Sequence, residues 1–363
     1  MTDKALRILV IKLRYLGDVL LTTPVFEALR LRFPDAYIAA LVNRETEDML
    51  TDNPAIDRIF TMERDIKLWP DLQKQRQLIR DIRSEKFDVA IDLTWNDRAA
   101  VLAKLSGARK RLSYLAGEKK LLHRSSLFTD LIKGEKNLHM VKKHLEMAKA
   151  LQCASLPGKI SLYWSEKDQR DADAILQDNS VSDNLPFVVM HPSSRALHKV
   201  WTAEGYAAVC DYLSEKHGLQ TILICGKDEK ELDGNRAVGE LARTRPVNFG
   251  GKLSLKQTAV LLSRAVLFIG IDSGPMHMAT AVNTPVVAIF GPSRSWRWGP
   301  WGEGHTVIQK EWPCVPCGRQ GCEGKGRSRC LDELTVAEVI AVLDQQIEKI
   351  KAARGMKTGA KKP

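Results

Sequence analysis

Short runs of apolar residues alternate with amphipathic stretches along nearly the whole chain. The runs are rich in Val, Ile and Leu and predict interior strands, whereas the stretches between them repeat apolar positions at helical spacing and predict helices. Strands are predicted at 7–13, 37–42, 58–62, 87–93, 159–163, 187–191, 220–225, 266–271 and 286–290. Helices are predicted at 19–33, 72–84, 140–151, 203–217 and 255–262.

This alternation is typical of α/β proteins whose parallel sheets are covered by helices on both faces. Asn, Ser and Asp cluster at 178–186 and predict a domain boundary near the middle of the chain. The sequence therefore predicts two doubly wound halves, 1–178 and 179–350, followed by a basic tail at 351–363. Because ligands of such sheets bind beyond the carboxyl ends of the strands, we expect the site in a cleft between the halves.

The junction after the predicted strand at 266–271 contains Asp272, Ser273, Gly274 and His277 and opens a helix. The unpaired N–H groups at the start of a helix attract anions, phosphates above all. Every strand-to-helix junction has this property. The segment by itself therefore fits an anion site and an ordinary structural turn equally well.

Two other junctions place polar groups at the same ends of the predicted strands. Asp18 follows Gly17 after the first strand, where it is either a first-turn acid that stabilises helix N–H groups or a general base. In the second half, Ser193, Ser194 and Lys199 follow the strand at 187–191 and suit a phosphate, although a capping serine and a solvated lysine fit the same pattern. Several polar turns that converge in one half favour a nucleotide pocket.

Composition and missing motifs narrow the classes of function. Neither G-x-x-x-x-G-K-[ST] nor a G-x-G-x-x-G after the first strand is present, which disfavours P-loop and standard dinucleotide-binding proteins. The net charge of +11 favours an anionic partner. No apolar run is long enough for a membrane span and no signal-peptide pattern is visible, so the expected location is the cytoplasm.

The segments 17–20 and 272–279 resemble the motifs of glycosyltransferase family 9, which transfers heptose from ADP-heptose to the lipopolysaccharide inner core. The resemblance covers nearly the whole chain, and segments 11–24 and 312–317 look most like the branch that adds the third heptose. It implies a GT-B fold, in which two Rossmann-like domains face a central cleft, and inverting transfer that requires no metal. It also implies a cytoplasmic protein of Gram-negative bacteria, peripheral at the inner face of the inner membrane.

The resemblance further implies roles for residues in both halves. Asp18 matches the base that deprotonates the acceptor hydroxyl. Lys199 matches a lysine that contacts the donor phosphates, and either Asp228 or Glu229 matches an acid that contacts the nucleotide. The predicted donor-binding residues are Ser193, Ser194, Lys199, Glu229, Asp272, Ser273, Gly274 and His277.

The implied acceptor is a phosphorylated, heptosylated lipid A–core glycolipid, whose negative charge suits cations in the first half. The predicted acceptor-binding residues are Arg58, Arg64, Lys67 and Arg124. Taken singly, each of them also fits a solvated surface cation. No aromatic residues are interleaved with these charges as in single-strand-binding proteins, so we expect no nucleic-acid partner.

Four of the seven cysteines cluster in the loop at 312–330, namely Cys314, Cys317, Cys322 and Cys330. In a reducing cytoplasm this clustering predicts thiolates rather than disulfides. They either hold a structural zinc ion or remain free structural thiols, and the resemblance requires no cofactor for catalysis. A zinc ribbon beside basic residues would indicate a nucleic-acid-binding protein, the alternative outside the enzymes.

Two alternatives remain within the enzymes. One is a heptosyltransferase I or II that acts on another core acceptor. The other is a nucleotide-sugar epimerase of similar architecture, which predicts isomerisation of the donor with no acceptor.

Overall fold

We describe a computed structural model of the chain, which covers residues 5–64, 70–115, 125–179, 181 and 185–353. The chain divides into two compact units, Met1–Tyr163 and Trp164–Pro363. Over the described residues each unit contains one six-stranded parallel sheet.

The sheet of the first unit has the strand order β3-β2-β1-β4-β5-β6. Its strands are β1 (Arg7–Lys12), β2 (Tyr37–Asn43), β3 (Arg58–Met62), β4 (Val89–Asp92), β5 (Lys110–Tyr114) and β6 (Asp130–Ile132). The chain builds outward from β1 in one direction and then returns to its other side at β4. The switch point between β1 and β4 is where sheets of this kind bind their ligands.

The helices of the first unit are α1 (Leu16–Leu20), α2 (Thr23–Arg32), α3 (Pro70–Ser84), α4 (Asp97–Leu105) and α5 (Met140–Ala150). Short 3₁₀ turns lie at Arg44–Met49 and Ser125–Leu127. The central strands are buried along almost their full length, because helices cover the sheet and bury a continuous apolar cluster.

The second unit repeats the same topology with the strand order β12-β11-β10-β7-β8-β9. Its strands are β7 (Phe187–His191), β8 (Gln220–Leu223), β9 (Val247–Asn248), β10 (Leu267–Ile271), β11 (Val286–Ile289) and β12 (Thr306–Ile308). Its switch point lies between β7 and β10. Its helices are α6 (Glu166–Asp178), α7 (Ala203–His217), α8 (Glu229–Leu241), α9 (Leu255–Arg264), α10 (Gly274–Ala281), α11 (Ser295–Trp298), α12 (Arg329–Asp332) and α13 (Val336–Ala353), with a 3₁₀ turn at Leu197–Lys199.

The predicted α/β class and the two doubly wound sheets are confirmed, with differences in two elements. The single helix predicted at 19–33 is divided into α1 and α2, because Pro24 has no N–H and the Thr22 and Thr23 hydroxyls donate to carbonyls one turn earlier. The strand predicted at 159–163 does not form, and the N–H of Ser161 donates to Thr23 Oγ1 (3.0 Å) instead of joining the sheet.

The division between the units falls between Tyr163 and Trp164, earlier than the predicted boundary at 178/179. Helix α6 packs against α9, and Asp173 forms an ion pair with Arg264. The helix therefore belongs with the second unit.

Trp201 anchors the loop after β7 in the apolar core of the second unit. Its side chain is 1% exposed, its Nε1 donates to the Leu334 carbonyl (2.9 Å) and its ring contacts Tyr206 edge to face. Gly205 makes room for it, since a Cβ at this position would lie 2.4 Å from the indole ring.

The substitution Trp201→Phe is expected to destabilise the protein by about 1–3 kcal/mol, because the buried Leu334 carbonyl loses its donor. Urea midpoints followed by far-UV circular dichroism provide the measurement. The control Trp296→Phe alters a side chain that is 44% exposed and should change stability by less than about 0.5 kcal/mol. Equal midpoints for the two variants would contradict the anchoring role.

Candidate active site

Asp18 lies beyond the carboxyl end of β1, in the first turn of α1. The N-cap position of this helix is Tyr15, whose side chain makes no capping hydrogen bond. The Asp18 carboxylate is 20% exposed, and its Oδ1 lies 3.5 Å from the ammonium of Lys12. It is therefore a partly accessible anion beside a buried cation.

Lys12 is the last residue of β1 and its side chain is almost completely buried. The ammonium also donates to the Leu93 carbonyl (2.9 Å) and lies 3.1 Å from Nε2 of His144. Burial lowers the pKa of Lys12 to about 8, opposed chiefly by the negative charge of Asp18. The lysine consequently loses its proton at much lower pH than a lysine on the surface.

The loop after β4 completes this part of the first unit. Buried Asp92 accepts hydrogen bonds from the N–H groups of Thr94 (2.7 Å) and Trp95 (3.1 Å) and from the Ser113 hydroxyl (3.0 Å). Trp95 has a φ of 61°, a left-handed conformation that is uncommon for a bulky residue. The loop thereby holds the Trp95 indole 5.1 Å from the Lys12 ammonium.

Of the predicted acceptor-binding cations, Arg64 lies at the same edge of the sheet as Asp18. It follows the end of β3, its guanidinium stacks 4.3 Å from the centre of the Tyr15 ring, and its Nε pairs with Glu45 (2.9 Å). Tyr15 is 58% exposed. The exposed Tyr15 ring, which precedes Asp18 in the chain, thus carries a guanidinium on its face.

Arg58, also predicted to bind the acceptor, does not lie with this group. It is the first residue of β3 and therefore lies at the amino edge of the parallel sheet, opposite the edge that carries Asp18. There it pairs with Glu85, which also binds Arg7 at the start of β1. Lys67 and Arg124, the other two predicted acceptor-binding residues, lie outside the described residues.

In the second unit, the carboxyl end of β7 carries a buried polar cluster. The Ser193 hydroxyl donates to Asn235 Oδ1 (3.0 Å), and Ser194 Oγ accepts from the N–H of Ala196 (3.1 Å). His191 ends β7 and lies with its Nδ1 3.2 Å from the Ser273 hydroxyl. Burial lowers the pKa of His191 to about 4, so the ring is neutral near pH 7.

Lys199 and Asp272 form the main ion pair of this region, with Nζ 2.7 Å from Oδ2. Lys199 ends the 3₁₀ turn after β7, whereas Asp272 follows β10, so the pair joins the two strands that flank the switch point. The lysine side chain keeps 30% of its surface exposed. Since an ammonium has three N–H donors, it can bind Asp272 and an anion together.

Helix α10 begins beside this ion pair, with Ser273 at the N-cap position and Gly274 as its first residue. The Ser273 side chain makes no capping hydrogen bond and lies near His191 instead. The first N–H groups of α10 are therefore not capped by this hydroxyl and can meet an anion. His277, in the first turn of α10, is buried.

Glu229 is the first residue of α8 and is exposed. Its neighbour Asp228 caps the helix by accepting from the N–H of Lys230 (3.1 Å), and Glu231 accepts from the N–H of Gly226 (2.9 Å). Asp228 and Glu231 therefore have local hydrogen-bond partners in this loop. Asp228 and Glu229 are both exposed, and which of them contacts a nucleotide stays a prediction.

The cysteine-rich loop lies against the core of the second unit through Cys330, which is buried. Burial is the main cause that raises the pKa of this thiol to about 11. Among the residues that the structure describes, no three His, Cys, Asp or Glu side chains are arranged to hold a metal ion. Whether these cysteines hold a structural zinc ion or remain free thiols stays a prediction.

The structure brings six of the predicted donor-binding residues to one edge of the second sheet: Ser193, Ser194, Lys199, Asp272, Ser273 and Gly274. Sequence reasoning missed Lys12, His144 and His191, although two of them end strands that were predicted. A polar residue at the end of an apolar strand was the available signal. His144 carries no such signal, because it lies inside a helix.

No helix among the described residues is both long and apolar enough to span a membrane.

Comparison with known proteins links both units to one family. The sequence model of glycosyltransferase family 9 (heptosyltransferase) matches residues 75–327. Lipopolysaccharide heptosyltransferase 3 of Escherichia coli strain K12 is 32% identical to the chain over 308 residues, covering 82% of the chain and 85% of that protein.

Solved structures show the same architecture. A family 9 glycosyl transferase from Veillonella parvula DSM 2008 superposes with a TM-score of 0.83 at 25% identity, covering 96% of the chain and 99% of that structure. The ADP-heptose LPS heptosyltransferase II of E. coli superposes with a TM-score of 0.76 at 22% identity, covering 95% and 99%. These similarities agree with the GT-B class, which is built from two such Rossmann-like domains.

Proposed function

The chain belongs to glycosyltransferase family 9, the heptosyltransferases, and we propose that it transfers heptose from ADP-heptose to the heptose region of the lipopolysaccharide core, as the third heptose. The chain is thus a glycosyltransferase. The identity of the donor and the position of the added heptose in the core are our proposal. The position is supported by the 32% identity with a heptosyltransferase 3. The zinc-ribbon alternative is not favoured, since the family match extends through most of the cysteine loop.

The observation that carries the proposed donor is the Lys199–Asp272 ion pair at the start of α10. An ammonium and a helix N-terminus both favour the negative charge of a diphosphate. Their interaction strengthens as the diphosphate becomes a leaving group, because negative charge then builds on it. In this proposal Glu229 contacts the nucleotide, and Asp272 and His277 contact heptose hydroxyls.

Asp18 is the proposed base. The acceptor hydroxyl oxygen attacks C1 of heptose while its proton passes to the Asp18 carboxylate, so that the new C1–O bond forms on the side opposite the diphosphate. The bond between C1 and the diphosphate oxygen breaks, and its electron pair leaves with ADP. This single displacement inverts C1 and calls for no metal.

The proposed acceptor is the heptosylated lipid A–core glycolipid, for which Arg64 and exposed Tyr15 supply charge and stacking surface. Guanidinium groups bind phosphate through paired N–H donors, and an aromatic ring packs on the apolar face of a sugar. Because this acceptor is anchored in a bilayer, we place the reaction at the cytoplasmic face of the inner membrane.

Incubation of the protein with ADP-heptose and core acceptors that carry no, one or two heptoses tests the proposal. Mass spectrometry should show one added heptose on the acceptor that already carries two. Addition to either of the other acceptors would assign the chain to a different position in the core. ADP-heptose that is isomerised without transfer would contradict the proposal and indicate an epimerase.

A further inference from the structure

The ammonium of Lys12 has two hydrogen-bond partners and one ion-pair partner at the end of β1. They are the Leu93 carbonyl (2.9 Å), His144 Nε2 (3.1 Å) and Asp18 Oδ1 (3.5 Å). An ammonium carries three N–H donors, and they match these three acceptors. Two of the partners are buried and fixed, so the third N–H is directed at the carboxylate.

The hydrogen bonds of His144 define which ring nitrogen carries its proton. Its Nδ1 lies 3.1 Å from the Leu21 carbonyl, which can only accept, so Nδ1 is the protonated donor. Nε2 is then the acceptor for Lys12. Burial, followed by the charge of Lys12, lowers the pKa of His144 well below its usual value, so the ring is neutral during turnover.

A buried ammonium loses hydration and is retained only where acceptors and opposite charge replace the water. His144 and the Leu93 carbonyl supply two of these acceptors, and Asp18 supplies the charge. Asp92 contributes negative charge at longer range. Its oxygens already accept hydrogen bonds from Thr94, Trp95 and Ser113. The carboxylate within reach of the ammonium is therefore that of Asp18.

We propose that Lys12, held by His144 and the Leu93 carbonyl, is a positioning residue that orients the Asp18 carboxylate and balances its charge during transfer. His144 acts one step further away, as the acceptor that keeps Lys12 directed at Asp18. This inference rests on the proposed function, because Lys12 is argued to position Asp18, the base of that reaction. Neither side chain touches the reacting atoms.

The proposal predicts a loss of activity at alkaline pH. Because the pKa of Lys12 is lowered to about 8, the ammonium is present below that pH and lost above it. Asp18 then loses its cationic partner, and transfer should decline. The charged or titratable groups that face this pair are Asp18, Arg14 and Asp92 around Lys12, and His139 and Lys143 around His144.

The test is the pH profile of kcat/KM for three proteins. In the wild type the alkaline limb is expected near pH 8. In His144→Leu the alkaline limb should move by about one pH unit toward acid. The charged form of Lys12 loses a hydrogen-bond acceptor, whereas the neutral amine is not destabilised, so the pKa of Lys12 falls. In His144→Gln the amide oxygen replaces the acceptor and should restore the wild-type limb.

The control Lys142→Met removes an exposed lysine from the same helix and should leave the profile unchanged. Thermal midpoints and ADP affinity identify any variant that fails to fold. The proposal is overturned if the wild type and His144→Leu have the alkaline limb at the same pH. A His144 with a purely structural role would change the stability of the protein and leave the pH of the limb unchanged.

A second measurement separates this inference from the proposed function. NMR titration of ¹³C-labelled lysine follows the Lys12 signal, assigned by its absence in Lys12→Arg, without any substrate. A midpoint near pH 8 that falls in His144→Leu supports the pair even if no heptose is transferred. A Lys12 midpoint that is unchanged in His144→Leu overturns it even if transfer is observed.

Discussion

The substitution Asp18→Asn is expected to slow heptose transfer by about 10²–10⁴-fold, the usual contribution of a general base, while ADP affinity stays the same. Asparagine has nearly the same shape as aspartate and cannot take the proton of the acceptor hydroxyl. ADP affinity should not change because the proposed diphosphate site, at Lys199 and α10, is built from the other unit. Single-turnover transfer and calorimetric ADP binding are the two measurements.

The matched control is Asp35→Asn, which changes an exposed acid of the same unit and should transfer heptose at the wild-type rate. Thermal unfolding of both variants checks that the loss is chemical, because Asp18 is also the carboxylate partner of buried Lys12. Transfer at the wild-type rate by Asp18→Asn would show that Asp18 is not the base. Its role would then be to stabilise the N–H groups at the start of α1.

The substitution Lys199→Ala is expected to weaken ADP binding by about tenfold to a hundredfold, the value of a charge-assisted hydrogen bond. It should also lower kcat, because the lysine interacts more strongly with the departing diphosphate than with the bound donor. Removing the ammonium further leaves Asp272 without its ion-pair partner at 2.7 Å. Calorimetry with ADP and steady-state kinetics with ADP-heptose separate the two effects.

Lys216→Ala is the control for charge, since this lysine is exposed on α7. It should bind ADP and turn over like the wild type. A Lys199→Ala protein that keeps the wild-type ADP affinity and kcat would contradict the proposal. That outcome would mean that Lys199 serves only to pair with Asp272.

The sequence was sufficient to predict eight of the twelve described strands, namely β1 to β4, β7, β8, β10 and β11, because most of them are apolar runs buried on both faces. It missed β5, β6, β9 and β12, which are short or carry polar residues at the sheet margins. Their pairing depends on neighbouring strands and not on a local pattern. The same limit explains why a strand was predicted at 159–163, where the Ser161 N–H donates to Thr23 of helix α2 instead.

The candidate site could be predicted where its residues lie at junctions, as Asp18, Lys199 and Asp272 do. It could not be predicted where the decisive contact is distant in the chain. His144 and Lys12 are 132 residues apart in the sequence, and no local pattern predicts their contact. Arg58 shows a second limit, because its charge suited an acceptor while its place at the start of β3, which local sequence does not reveal, puts it at the other edge of the sheet.

The central claim is that this chain forms a new heptosyl bond with inversion at C1. Its most direct measurement is an NMR and mass analysis of the product made from ADP-heptose and a core acceptor with two heptoses. We expect one added heptose, one ADP released per transfer and an anomeric configuration opposite to that of the donor. Release of ADP without an added heptose, or a product that retains the donor configuration, would contradict it.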